Sequence, residues 1–281
     1  MSMAVTAQMW AKGGDFGILV AMIEQDPNGR LPATAADLAA VYTTPLADDE
    51  AIRAAAAEIS PTIQEYLEAI YSMQDEGKTV IGVRLAERMR VAPSTVTATL
   101  QRMATAGLIL LSPHKEVLFT RAGLDLARII IRRHRLTERF LTDILGLEWH
   151  EAHEEAVRFE HALSPRMEQR IIKLLNNPTR CPHGNPIPGL ALRAPRNRMV
   201  LADTAPGDDL QIERISEEAE VDPQLLAFLQ RNGLVPDALL HVDLVLKFNH
   251  TFTVQVADDP EPVVVGEEVA RLIWVFPRAE A

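Results

Sequence analysis

Three stretches of this 281-residue chain set carboxylates and imidazoles at helical spacing. Glu65 and Glu68 stand three apart, His134 and Glu138 four apart, and His153 precedes Glu160 and His161 by seven and eight, so each set occupies one face of its helix. Carboxylate with imidazole suits a divalent ion of intermediate character, Mn2+ or Fe2+, although the affinity order alone favours Ni2+, Cu2+ or Zn2+ at such donors. A single Glu or His on a surface helix is ordinarily a solvated residue, and Glu68 reads equally as a surface charge; the combination of three sets is what points to a metal. Cys181 is the only cysteine, which excludes a disulfide framework and any multi-cysteine zinc site and agrees with a reducing cytoplasm. No His-Glu-x-x-His signature, nucleophile elbow or phosphate loop accompanies these donors, so a metal-dependent hydrolase is a remote alternative and no residue is assigned a catalytic role.

The elements that carry these donors are legible in the pattern. Ser60-Pro61 opens a helix bearing Ile63, Tyr66, Leu67, Ile70 and Tyr71 on one face. A short helix over 83–89 follows, then a turn through Arg90-Val91-Ala92-Pro93 and a helix expected to be capped by Ser94, with Val96, Leu100 and Met103 inward and Gly107 at its end. Leu108-Ile109-Leu110-Leu111 and Val117-Leu118-Phe119-Thr120, joined by Ser112-Pro113-His114-Lys115, read as a hairpin. Helix, helix-turn-helix and hairpin in this order specify a winged helix, a reader of the major groove of double-stranded DNA.

Charge supports that reading locally and opposes it globally. The net charge is −11, yet between Gly77 and Phe140 twelve Lys/Arg face four Asp/Glu, a local +8 in a chain otherwise at −19. A basic block in an acidic chain is the footprint expected of a phosphate-binding surface. Residues 120–176 read as almost continuously helical, and Leu136, Phe140, Leu141, Ile144, Leu145, Ile171, Ile172, Leu174 and Leu175 exceed what a small helical domain needs for itself, which points to a homodimer reading a two-fold operator. Pro and Gly cluster over 178–206, and strand-length apolar runs follow at 210–215, 240–248, 251–256, 263–265 and 272–276, with one helix at 222–232. The longest early apolar run, over 16–23, is far short of a membrane span.

The fold class expected is therefore mainly α with a small β part: an N-terminal extension of unknown role (1–58), a winged-helix DNA-binding domain (59–125), a helical metal-binding and dimerisation domain (126–178), a Pro/Gly-rich linker (179–208) and a small C-terminal β-barrel (209–281).

Residues 62–188 resemble the diphtheria toxin repressor family of iron- and manganese-dependent regulators. The resemblance is carried by Glu65-Tyr66-Leu67-Glu68-Ala69-Ile70-Tyr71, Arg133-His134-Arg135-Leu136-Thr137-Glu138-Arg139, Phe159-Glu160-His161-Ala162-Leu163-Ser164 and Cys181-Pro182-His183-Gly184-Asn185-Pro186-Ile187-Pro188, and more loosely by Asn232-Gly233-Leu234-Val235-Pro236 and Glu267-Glu268-Val269-Ala270. It implies an SH3-like C-terminal barrel and a metal co-repressor favouring the operator-binding dimer. It also implies two metal sites: an ancillary one with His134, Glu138 and His153, reached less securely by Glu217 and Glu220, and another with Glu160 and His161. Glu65 falls where the family places Met or Asp, and Glu68 matches a carboxylate of the manganese branch. The motif around Cys181 and His183 is a linker by the same resemblance.

Two departures follow. Val157 stands where the family has a Cys or Glu ligand, which leaves a metal-independent regulator with a degenerate site as the alternative. Ala98 stands where the iron branch has a base-contacting Gln, so a different operator is implied, with Ser94, Thr95 and Thr97 as candidates for bases and Arg84, Arg88, Arg102 and Lys115 for phosphates. Iron and manganese stay open: Glu68 and the missing thiolate favour manganese, His153 and the barrel favour iron.

Overall fold

The structure is a computed structural model that describes residue 56 and residues 59–190, 198–257 and 261–278; the side chain of His161 and all but residue 56 of the expected N-terminal extension lie outside the described residues. Two compact units emerge, one running to Arg133 and including Leu163–Pro165, the other comprising His134–Ala162 and everything from Arg166 onward.

The first unit begins with α1 (Pro61–Asp75). Pro61 at the first helical position lacks the N–H that would be unsatisfied there, and Ser60 before it is extended, so the chain enters the helix without strain. Ile63, Tyr66, Leu67, Ile70 and Tyr71 form its buried stripe. Helix α2 (Gly82–Met89) stops at Arg90, which takes the left-handed conformation at φ 53°, and α3 (Pro93–Thr105) starts three residues on. Its cap is Ala92, which gives no side-chain bond, rather than Ser94 as the sequence suggests: Pro93 fits the first helical position, which moves Ser94 inside the helix and leaves it exposed.

The hairpin pairs β1 (Ile109–Leu111) with β2 (Val117–Phe119), and Val117 N donates to Val80 O, stitching the wing to the segment before α2. Val96, Leu100, Met103, Leu108, Ile109, Val117 and Phe119 join the α1 stripe in one core.

The unit boundary falls within α4 (Arg121–Asp143). In the second unit, α5 (Trp149–Phe159) opens with a reciprocal cap between Glu148 and Glu151, a 3-10 turn spans Glu160–Ala162, and α6 covers Pro165–Leu174.

The C-terminal sheet contains β3 (Met199–Val200), β4 (Asp209–Ile215), β5 (Leu239–Leu246), β6 (Thr251–Val256), β7 (Val263–Gly266) and β8 (Ile273–Pro277), in the order β3-β8-β4-β5-β6-β7 with every pairing antiparallel. Register shifts in β4 and β5 bend the sheet around a core of Ile212, Leu226, Leu229, Val242, Val254, Ile273 and Val275. This SH3-like architecture also carries α7 (Pro223–Arg231) and the short α8 (Glu267–Ala270), and Trp149 N of α5 donates to Gln230 Oε1 of α7. Among the described residues, no helix is long and apolar enough to cross a membrane.

Candidate metal centre

Four donors from three elements of the second unit converge. One ligand atom each from His134, Glu138, His153 and Glu220 lie within 4.8 Å of one another. Helix α4 supplies the first two one turn apart, α5 supplies His153, and the 3-10 turn Glu217–Val221 supplies Glu220. Glu138 is the hub: its Oε1 accepts from His134 Nε2 and His153 Nδ1, each at 3.1 Å, and its Oε2 is 3.6 Å from His183 Nδ1. His183 Nδ1 also lies 2.9 Å from Glu220 Oε1. Glu138 and His183 are fully buried and Glu220 nearly so, while His153 retains about a fifth of its side-chain surface.

Burial on this scale makes the protonation state informative. Desolvation alone would depress the His134 imidazole, yet the carboxylates of Glu138 and Glu160 hold it well above its ordinary value. Geometry gives the reason: Nε2 faces Glu138 and Nδ1 faces Glu160 Oε2 at 2.5 Å, so both nitrogens must carry protons to donate. His183 is raised the same way, burial being outweighed by Glu138 and Glu220. Burial also works against the charge on Glu138, but His134 and His183 draw its carboxyl well below the usual range. Burial and then Glu138 push Glu220 up.

Such a set of nitrogen and oxygen donors fits a divalent cation. Glu138 Oε2 and Glu220 Oε1 are buried, and their neighbour His183 Nδ1, at 3.6 and 2.9 Å, meets neither in hydrogen-bond geometry, so carboxylate lone pairs are left over for an ion. Charge agrees: paired carboxylates are what the two imidazoliums now neutralise and what a cation would neutralise instead.

His183 is the member that local sequence reading assigns to a linker. Glu138, Cys181 and His183 form a second triad of donor atoms within 4.8 Å. The Cys181 thiol, pushed up by burial and then by Glu138, is a poor source of thiolate. The loop is pinned to the end of β4: Ile215 N donates to His183 O at 2.8 Å, Asn185 Nδ2 donates to Ile215 O at 3.0 Å, and Cys181 N donates to Asn185 O at 2.9 Å. Trp149 closes over it, its ring meeting the His183 ring edge-on at 4.8 Å. Gly184 permits the approach, with φ 87° and a site for Cβ only 2.4 Å from Glu213 O. Gly184→Ala is therefore expected to destabilise the chain by about 2 kcal/mol or more, seen as a lower urea midpoint, because the neighbour it strikes is backbone.

The remaining expected ligands are placed differently. The Glu217 carboxylate is engaged by Arg135, at 2.7 Å from Nε and 2.6 Å from Nη2, and so stands in an ion pair rather than in the four-donor group. Glu160 is buried and bonded to His134, and Val157 is exposed, offering no donor. In the first unit Glu65 is exposed and Glu68 half-buried on α1.

The expected DNA contacts all belong to the first unit. Ser94, Thr95, Thr97 and Arg102 are exposed on α3, Lys115 is exposed on the wing, and Arg84 and the half-buried Arg88 lie on α2. Arg128, Arg132, Arg133 and Arg135 are buried, so the solvated part of the basic block comes from Lys78, α2 and its cap Arg90, α3, the wing and the two ends of α4.

Comparison with known proteins decides the relationship. Residues 58–117 match the family model "Iron dependent repressor, N-terminal DNA binding domain", residues 120–189 match "Iron dependent repressor, metal binding and dimerisation domain", and residues 199–277 match the FeoA domain. The chain belongs to the iron-dependent repressor family. His134, Glu138, His153 and His183 fall in its metal-binding and dimerisation segment, and Glu220 falls in the FeoA segment.

The iron-dependent repressor IdeR of Mycobacterium leprae is 36% identical over 196 residues, 66% of this chain and 85% of that protein. The diphtheria toxin repressor of Corynebacterium efficiens is 37% identical over 185 residues, 63% and 80%. Among solved structures, a manganese-dependent transcriptional repressor in complex with manganese superposes with a TM-score of 0.68 at 34% identity, covering 76% of this chain and 99% of that one. The iron-dependent repressor family is one of transcriptional repressors, not enzymes, and the hydrolase alternative is set aside.

Proposed function

We propose that this chain is a cytoplasmic, metal-responsive repressor that binds operator DNA as a homodimer, with Mn2+ or Fe2+ as co-repressor. The observation that carries the reading is the buried gathering of His134, Glu138, His153 and Glu220 in a chain whose first unit is a winged helix. These four residues would hold the ion, with His183 beside them; Glu160, His161, Glu65 and Glu68 are the donors the resemblance assigns to a further site. The ion supplies concentrated positive charge to which the carboxylates are drawn. Glu138 ties α4 to α5 through His153, and His183 ties the 181–185 loop to Glu220, so the chain's own groups already define the arrangement that a cation would favour.

Exposed apolar side chains support the homodimer. Leu136, Leu141, Ile171 and Ile172 are buried within the chain, but Ile144, Leu145, Val157, Phe159, Met167 and Leu174 remain exposed. The relatives named as iron- and manganese-dependent repressors support the choice of ions.

The test is a mobility shift of the full chain on DNA selected from a random pool, in chelator, Mn2+ or anaerobic Fe2+. Affinity is expected to rise about tenfold or more with one of the two ions. Affinity unchanged by either ion and by His134→Ala would remove the metal-sensing claim while leaving DNA binding intact.

A further inference from the structure

Two exposed side chains of α3, Gln101 and Arg102, can read a base by two hydrogen bonds at once, and Gln101 is not among those that local polarity singles out. Val96, Thr99, Leu100 and Met103 turn into the core of the first unit. At 100° per residue the direction opposite this stripe is occupied by Ser94, Ala98, Gln101 and Thr105, spaced four, three and four apart, all exposed.

Three of these have short reach, and their neighbours spend hydroxyls on the helix itself. Ala98 presents only a methyl, Thr105 Oγ1 donates to Gln101 O at 2.9 Å, and Thr97 Oγ1 donates to Pro93 O at 2.9 Å. Arg102 points a guanidinium nitrogen back to Thr99 Oγ1 at 3.2 Å. The Gln101 amide is exposed and stands two turns along the helix from Ser94. Small residues at 94 and 98 would let the α3 backbone approach base edges, within reach of the longer amide at 101.

We propose that Gln101 is a specificity-determining residue of the operator complex, its Oε1 accepting from adenine N6 and its Nε2 donating to adenine N7 in the major groove. This is the pairing the glutamine amide matches, and no other base presents donor and acceptor in that order. The inference rests on the operator-binding reading above.

The test is selection from a randomised duplex pool by the full Mn2+-loaded chain in three forms: unaltered, Gln101→Ala and Gln101→Glu. The unaltered chain is expected to select an adenine at one position of each half-site. Gln101→Ala should lose that preference, with affinity for the parent site falling about tenfold per half-site and the rest of the motif kept. Gln101→Glu should shift the preference to cytosine, whose N4 donates to a carboxylate. Gln101 is exposed and alanine is a better helix former, so loss of folding is not expected to cloud the result.

The same motif from all three forms overturns the inference. So does a uniform loss across sequences with a shallower salt dependence, the mark of a phosphate contact. If the unaltered chain selects no motif with Mn2+ or Fe2+, the operator-binding reading fails, and this inference with it.

Discussion

Glu138→Gln is expected to weaken Mn2+ binding by about 100-fold or more, with operator affinity losing its response to the ion. The residue is fully buried and its two oxygens face three imidazoles, so an amide there removes the charge that both holds the imidazoles and would hold a cation. Glutamine keeps the shape, which separates loss of charge from loss of packing. Glu217→Gln is the matched control: its carboxylate is engaged by Arg135, so removing its charge should change Mn2+ affinity by less than about tenfold. Calorimetric titration of both variants with Mn2+, beside the thermal midpoint of the metal-free proteins, measures the difference. Equal losses in the two variants would mean that Glu138 acts through general electrostatics and not as a member of the centre.

Much of the architecture behind that experiment is legible residue by residue. Pro61 and Pro93 mark helix starts because each fits the first turn and nothing later. The runs at 210–215, 251–256 and 263–265 match their strands to within a residue; one side chain in two faces the core in the last two, whereas β4 is buried on both faces toward its end. Helical spacing also places His134 over Glu138. What it does not encode is which distant residues meet. His183 lies 45 residues from Glu138 in a stretch whose Pro and Gly content reads as a connection; the available signal was two potential donors, Cys181 and His183, flanking a proline in a segment with no strand period. Glu217 and Glu220 look alike in sequence, and only the fold brings Arg135 to the first and His183 to the second. Counting charge likewise treats every basic side chain as solvated, whereas four of the twelve Lys/Arg in the basic segment are buried.

Mn2+ affinity should rise steeply with pH through the neutral range. His134 and His183 both titrate above the ordinary histidine value because buried carboxylates face them, so in the metal-free chain both rings are protonated at pH 6 to 6.5. An ion that takes up the same carboxylates must displace those protons. Each proton released changes affinity about tenfold per pH unit, so below the raised values the gain approaches about 100-fold per pH unit if both leave, and it levels off above them. Repeating the calorimetry in buffers of different ionisation enthalpy counts the protons directly; a pH-independent affinity with no proton release would contradict the assignment. The metal-free protein should respond in the opposite sense. A histidine whose folded pKa is raised adds stability that is complete below its unfolded value of about 6.5 and is lost as pH climbs through the folded value. Above about pH 6.5 the imidazoliums thus contribute progressively less to the metal-free centre, while the competition they offer to Mn2+ declines. A centre built this way would be held closed by protons at low pH and by the cation at higher pH, with the carboxylates of Glu138 and Glu220 common to both states.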